Sequence, residues 1–127
     1  MELVLDAGAL STLAGRDGRA RVQALRDRGL WPAIVPSVAC VEALTGHAGR
    51  DASTNQLLEA CDVVEHVGLR IARRAASLRF AARRGSAVDA IVVAVAEQHD
   101  DSVVLTTDLP DLSALANETA RVRVARA

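Results

Sequence analysis

Lysine is absent from this sequence and aromatic residues nearly so: Trp31 and Phe80 are the only two among 127 residues. Every one of the 15 basic side chains is therefore arginine. That excludes any mechanism built on a lysine Schiff base, a phosphate-loop lysine or a catalytic lysine. Cysteine is scarce as well. Cys40 and Cys61 are too few for a disulfide scaffold and lack the close spacing of a zinc site, which leaves them as buried structural thiols. Long apolar runs are missing, since the longest candidate, Ala90 to Ala96, is seven residues. A membrane span needs about 18 to 20. The opening Met1-Glu2-Leu3-Val4-Leu5-Asp6 has no basic region and only a short apolar run, so no signal peptide and a cytoplasmic location without membrane contact are expected.

Charge of neither sign is in excess: 15 basic and 16 acidic groups leave a formal net charge of −1. This balance argues against a polybasic nucleic-acid binder, and a composition 50% apolar and 24% charged argues against disorder. At this length folding hides roughly two-thirds of the unfolded chain's surface, enough for one core, so a single domain over residues 1–127 is expected. The small net charge conceals a segregation. Between His66 and Val88 stand Arg70, Arg73, Arg74, Arg79, Arg83 and Arg84 with no acid; from Glu97 to Glu118 six acids occur and no Arg. The arginine segment reads either as a solvated helix face or as a phosphate-backbone contact through Arg83 and Arg84, whose forked guanidinium groups suit phosphate oxygens.

Short, non-alternating strands are expected at Glu2–Asp6, Ala33–Val35, Val63–Glu65, Val103–Thr106 and Val122–Val124. Helices separate them. They are expected over Ala9–Ala14, Arg19–Arg28, Ser37 to about Gly46 with Ser37 as N-cap, Ala52–Cys61, Leu69–Arg84 closed by Gly85, Ala87–Gln98 and Leu109–Leu115. The segment Ala87–Gln98 is apolar nearly all round, as a buried helix would be. Such an alternation implies an α/β fold: a central parallel sheet of about five strands with helices on both faces. Trp31, at a turn, reads as local packing. His47, His66 and His99 are scattered and carry no catalytic assignment.

Four acids stand where the pattern wants apolar or neutral groups. Asp6 ends the first strand and Asp108 follows the fourth, so both should reach the carboxyl rim, where open parallel sheets bind ligands. Glu42 is expected on the side of its helix shared with Val38, Val41 and Thr45, interrupting a core-facing stripe. Asp89 lies in the first turn of the most apolar helix. Three also have an ordinary explanation: Ser86 to Asp89 has the spacing of a capping box, Asp108 suits an N-cap ahead of Leu109-Pro110, and Asp6 suits a turn; Glu42 resists one, being expected neither at a helix end nor on a wet face. Their conjunction is harder to explain that way. Two unit charges about 4 Å apart repel by on the order of 4 kcal/mol at an effective dielectric near 20. Several such pairs would rival a domain's whole stability of roughly 5 to 15 kcal/mol. A set of oxygen donors without His or Cys suits a hard cation, Mg²⁺ or Mn²⁺, and with it metal-assisted phosphodiester hydrolysis.

Four segments carry a resemblance to a known family. They are Leu3-Val4-Leu5-Asp6-Ala7-Gly8-Ala9-Leu10, Pro36-Ser37-Val38-Ala39-Cys40-Val41-Glu42, Ala87-Val88-Asp89-Ala90-Ile91-Val92-Val93-Ala94 and Val104-Leu105-Thr106-Thr107-Asp108. Their order and spacing resemble PIN-domain ribonucleases, in particular the VapC-type toxins of bacterial toxin–antitoxin pairs, over almost the whole chain. The resemblance implies endonucleolytic cleavage of RNA with one or two Mg²⁺ or Mn²⁺ ions. Asp6, Glu42 and Asp89 would hold the principal metal and Asp108 would complete the site. Thr107 matches the hydroxyl beside the last acid, and Asp111 is an additional acid acting through water. The chain departs from the family at Ala7-Gly8, where Ser, Thr or Asn is common, and so lacks one supporting hydrogen bond. The resemblance also implies a small VapB-like antitoxin as partner and a homodimer. Two rivals keep the same site: a metal-dependent DNA nuclease, and a PIN-type module that binds without cutting. A phosphorylatable receiver domain, which needs a late lysine, is set aside.

Overall fold

All five expected strands form and all pair in parallel: β1 (Glu2–Leu5), β2 (Ile34–Pro36), β3 (Asp62–Val64), β4 (Ser102–Thr106) and β5 (Val122–Arg126). The computed structural model describes residues 1–127 throughout. Between the strands lie α1 (Ala7–Leu13), α2 (Gly18–Asp27), α3 (Ser37–Ala43), α4 (Ala52–Glu59), α5 (Leu69–Ala82), α6 (Ala87–Ala96) and α7 (Leu109–Ala116). No helix is long and apolar enough to cross a membrane.

The strand order is β3-β2-β1-β4-β5. From central β1 the chain runs outward to β3, then returns to lay β4 on the other side of β1. The carboxyl ends of β1 and β4 therefore flank the point where the connections diverge, the place where open α/β sheets form their ligand crevice. Register makes this concrete: Leu5 pairs with Leu105, and the Asp6 N–H donates to the Leu105 carbonyl at 3.2 Å.

Alternation along the strands assigns the two faces. Ser102, Val104 and Thr106 are buried toward α6, where the Ser102 hydroxyl donates to the Ala96 carbonyl at 3.0 Å. Leu3, Val103 and Leu105 turn the other way, toward Leu25 of α2 and Leu30 behind it. Helix α6 packs on β1, β2 and β4 and touches α3, α5 and α7, which is why it is apolar all round. Val92, Val93 and Val95 in it are buried. Each such side chain stabilises by roughly 1.5–3 kcal/mol on burial. Together they offset the repulsion of a close carboxylate pair, so α6 can afford Asp89 near its start.

Helix ends shift by one to three residues from expectation, and α3 and α5 show the physical reason. Helix α3 stops at Ala43 rather than near Gly46, and Ser37 is not its cap: Pro36 occupies that position, while the Ser37 hydroxyl donates to the Glu65 carbonyl at 3.2 Å. The early stop has a cause in Asp51, whose carboxylate takes the Thr45 N–H at 2.9 Å and the Gly46 N–H at 2.8 Å. Those amides have better partners than the helix offers. Helix α5 ends at Ala82 and turns on left-handed Arg83 (φ 56°), not on Gly85.

Around the sheet, Trp31 packs locally as expected, its indole N–H donating to the Ala60 carbonyl at 2.9 Å. Cys40 and Cys61 are free and half-buried. Burial, and then the neighbouring Cys40, push the Cys61 thiol up to about 11, which leaves it unreactive at neutral pH.

Candidate functional site

Three helices begin at the carboxyl edge of the sheet, and their first turns bring the acids together. Asp6 caps α1, its Oδ1 accepting from the Ala9 N–H at 2.8 Å. Asp89 and Ser86 form a reciprocal capping box on α6, with both bonds at 3.1 Å. Asp108 caps α7, accepting from the Asp111 N–H at 3.4 Å. The ordinary capping explanation and convergence are therefore both correct. An N-terminal first turn is where a helix best tolerates a carboxylate, so the same local geometry that satisfies each helix aims its acid at the rim.

Asp6, Glu42, Asp89, Asp108 and Asp111, with Gly8 and Thr107, line one open cleft of about 530 Å³. Asp89, Asp108 and Asp111 form its tightest part, each offering a carboxylate oxygen within 4.8 Å of the others. Asp6 and Glu42 stand outside that group. Asp6 is buried, 5% exposed, at the floor. Glu42 is exposed, and the stripe expected to face the core with it does not: Val41 is 80% exposed, whereas Ala39 is the buried residue of α3. The reason is the helix's shortness, since two turns can bury only one narrow side.

Burial raises the Asp6 carboxyl above its ordinary range. The Thr106 hydroxyl and the Ala9 amide oppose that shift, and the charges of Asp89 and Asp108 add to it. Thr106 is fully buried and also accepts from the Asp108 N–H at 2.8 Å. It links the first and last acids. Sequence reasoning singled out Thr107 and missed Thr106, although strand parity marks it: counting by two from buried Val104 turns Thr106 inward. Thr107 is exposed at the cleft, and a Cβ added at Gly8 would collide with its hydroxyl. The side chain missing at Gly8 is thus room that Thr107 uses.

Arg83 and Arg84 do not line the cleft. Arg84 pairs with Asp111, Nε to Oδ1, at 2.8 Å. Arg74 pairs with Glu97 at 2.9 Å, while Arg70, Arg73 and Arg83 make no ion pair.

A family model described as the PIN domain matches residues 3–116. The chain belongs to the PIN domain family. This PIN domain is similar in fold to PAE2754 from Pyrobaculum aerophilum, with a TM-score of 0.63 and 19% identity over 98% of this chain and 89% of that one. It is similar to FitAB bound to the IR36 DNA fragment, with a TM-score of 0.65 and 19% identity over 98% and 94% of the two chains. FitAcB from Neisseria gonorrhoeae matches with a TM-score of 0.62 and 19% identity, covering 95% and 96%. No curated protein sequence matches this PIN domain. Its cleft fits a divalent cation on chemical grounds. All five acidic donors are oxygens, the donor set of Mg²⁺ and Mn²⁺, and the charges that disfavour an ionised Asp6 are those a cation would neutralise.

Proposed function

We propose that this PIN domain is a Mg²⁺- or Mn²⁺-dependent endoribonuclease that serves as the toxin of a toxin–antitoxin pair. The observation that carries the reading is the gathering of Asp6, Glu42, Asp89, Asp108 and Asp111 in one cleft at the sheet's switch point. PIN domains are generally nucleases, and the chain's likeness to them covers most of its length. Asp6, Glu42 and Asp89 hold the principal metal, Asp108 completes the site, and Asp111 assists through water. A bound divalent ion supplies an acidified water and stabilises charge building on a phosphate oxygen. The protein's part is to orient. Thr106 steadies Asp6 against Asp108, the Ser86 amide fixes one oxygen of Asp89, and Thr107 presents a hydroxyl where the phosphate would approach. Arg83 and Arg84 contact the RNA backbone. A small VapB-like antitoxin is the partner, in line with the fold's similarity to FitAB, and the protein is a homodimer in the cytoplasm.

The test is incubation of the purified protein with mixed RNA, with and without Mg²⁺ or Mn²⁺, followed by mapping of the cleaved ends. Metal-dependent internal cuts are expected, falling at least a hundredfold in Asp6→Asn and Asp89→Asn variants whose circular dichroism is unchanged, on the order of removing one electrostatic contributor. Cleavage of DNA alone, or RNA binding without cuts, sinks the reading. Light scattering of the protein, alone and with the product of any small reading frame found beside its gene, checks the homodimer and the antitoxin.

A further inference from the structure

The turn between α5 and α6 is built to deliver one side chain. Arg83 is the chain's one non-glycine residue with a positive φ, 56°, and Gly85 turns again at φ 89°. Left-handed backbone at a bulky residue persists only where its surroundings impose it. Here they do so from two sides. The Gly85 carbonyl accepts from Arg79 Nε at 3.2 Å, and a Cβ at Gly85 would lie 2.7 Å from Leu115 Cδ1, so the turn is pressed onto α7. Between these two held residues stands Arg84, with Nε 2.8 Å from Asp111 Oδ1. Asp111 belongs to the close carboxylate group, and its companions Asp89 and Asp108 have no cationic partner.

We propose that Arg84 is a built-in counter-ion of the cleft, whose pairing with Asp111 competes with a divalent cation and the water through which that carboxylate would assist it. The inference rests on the reading above that a divalent cation binds there. An arginine cannot discharge by losing a proton near neutral pH, so the pair gives way only by movement. Movement is easy: the Arg84 side chain is 56% exposed, and exposed ion pairs hold weakly. Cation binding then frees the guanidinium beside the cleft, where a phosphate oxygen is its natural new partner.

Mn²⁺ titration of the full chain by calorimetry tests this with Arg84→Gln, Arg84→Lys, Asp111→Asn and the Arg84→Gln/Asp111→Asn double variant. Arg84→Gln is expected to tighten Mn²⁺ roughly two- to fivefold at low salt, the worth of one exposed ion pair. The gain should shrink at high salt. Arg84→Lys should stay near the parent. In the Asp111→Asn background the gain should be largely lost, because Asp111 is what holds the guanidinium at the cleft. Unchanged or weaker Mn²⁺ binding in Arg84→Gln overturns the inference, as does an equal gain with Asn at position 111. Binding by neither parent nor variant overturns the inference and the metal site together. Mn²⁺ bound as expected but RNA left uncut overturns the nuclease reading alone.

Discussion

Asp6 does three things at once, and they conflict. It caps α1, it forms the floor of the cleft, and it is a carboxylate with burial and two like charges against it. The folded state therefore raises its pKa above the ordinary 3.8. A raised carboxyl pKa means that the native state binds this proton more tightly than the unfolded chain does. The resulting destabilisation is absent below the unfolded value and grows as pH rises through the folded one. Asp6→Asn keeps an oxygen for the Ala9 N–H and removes the charge. In metal-free buffer near pH 7 its thermal midpoint should exceed the parent's, and the gap should close as pH falls below 4. A lower midpoint near pH 7 would show the capping carboxylate to matter more than its burial. The change that ends activity is thus expected to raise stability, a familiar trade at functional sites.

At the scale of elements, three helix starts position the acids, and α6 shows the arrangement most completely. Its capping box orients Asp89 through the same two bonds that satisfy the helix end. Ser86→Ala should cost about 1 kcal/mol, within the roughly 0.5–2 kcal/mol typical of a lost N-cap, read as a lower urea midpoint at constant slope. Cleavage should weaken as well, because Asp89 loses the partner that fixes the turn around it. An unchanged midpoint would mean that the box contributes nothing to the helix start. Element existence was legible here because hydrophobic runs and breakers mark each piece. Element ends were less so. Ser37 looks like a cap and Gly85 like a terminator, yet Pro36 and Arg83 hold those positions. Contacts with Glu65 and Leu115, distant in sequence, go with those outcomes.

Across the whole molecule, a net charge of −1 describes neither side of the protein. The cleft gathers five carboxylates, while α5 and the turn after it carry Arg70, Arg73 and Arg83 without ion pairs. If that arginine face meets the nucleic-acid backbone, each contact adds about 0.7 to the slope of log affinity against log salt for a single strand. Arg83→Gln should reduce the slope for RNA by roughly that amount, measured by fluorescence anisotropy at several salt concentrations. An unchanged slope would make Arg83 a solvated residue whose role ends with the turn.

The sequence by itself determined the α/β alternation, the parallel sheet and the identity of the acids, since these follow from apolar runs, breakers and residue chemistry along the chain. It left Asp89 and Asp108 with two explanations, helix cap or site, and Asp6 with turn or site. Only the tertiary structure decided that both hold, because the strand order β3-β2-β1-β4-β5 sets β1 beside β4 and joins ends about a hundred residues apart. Likewise the absence of lysine settled that any permanently cationic side chain of this chain at the cleft's edge is an arginine. That Arg84 is the one paired there with Asp111 depends on a turn held by Arg79 and Leu115, a packing constraint that local sequence does not encode.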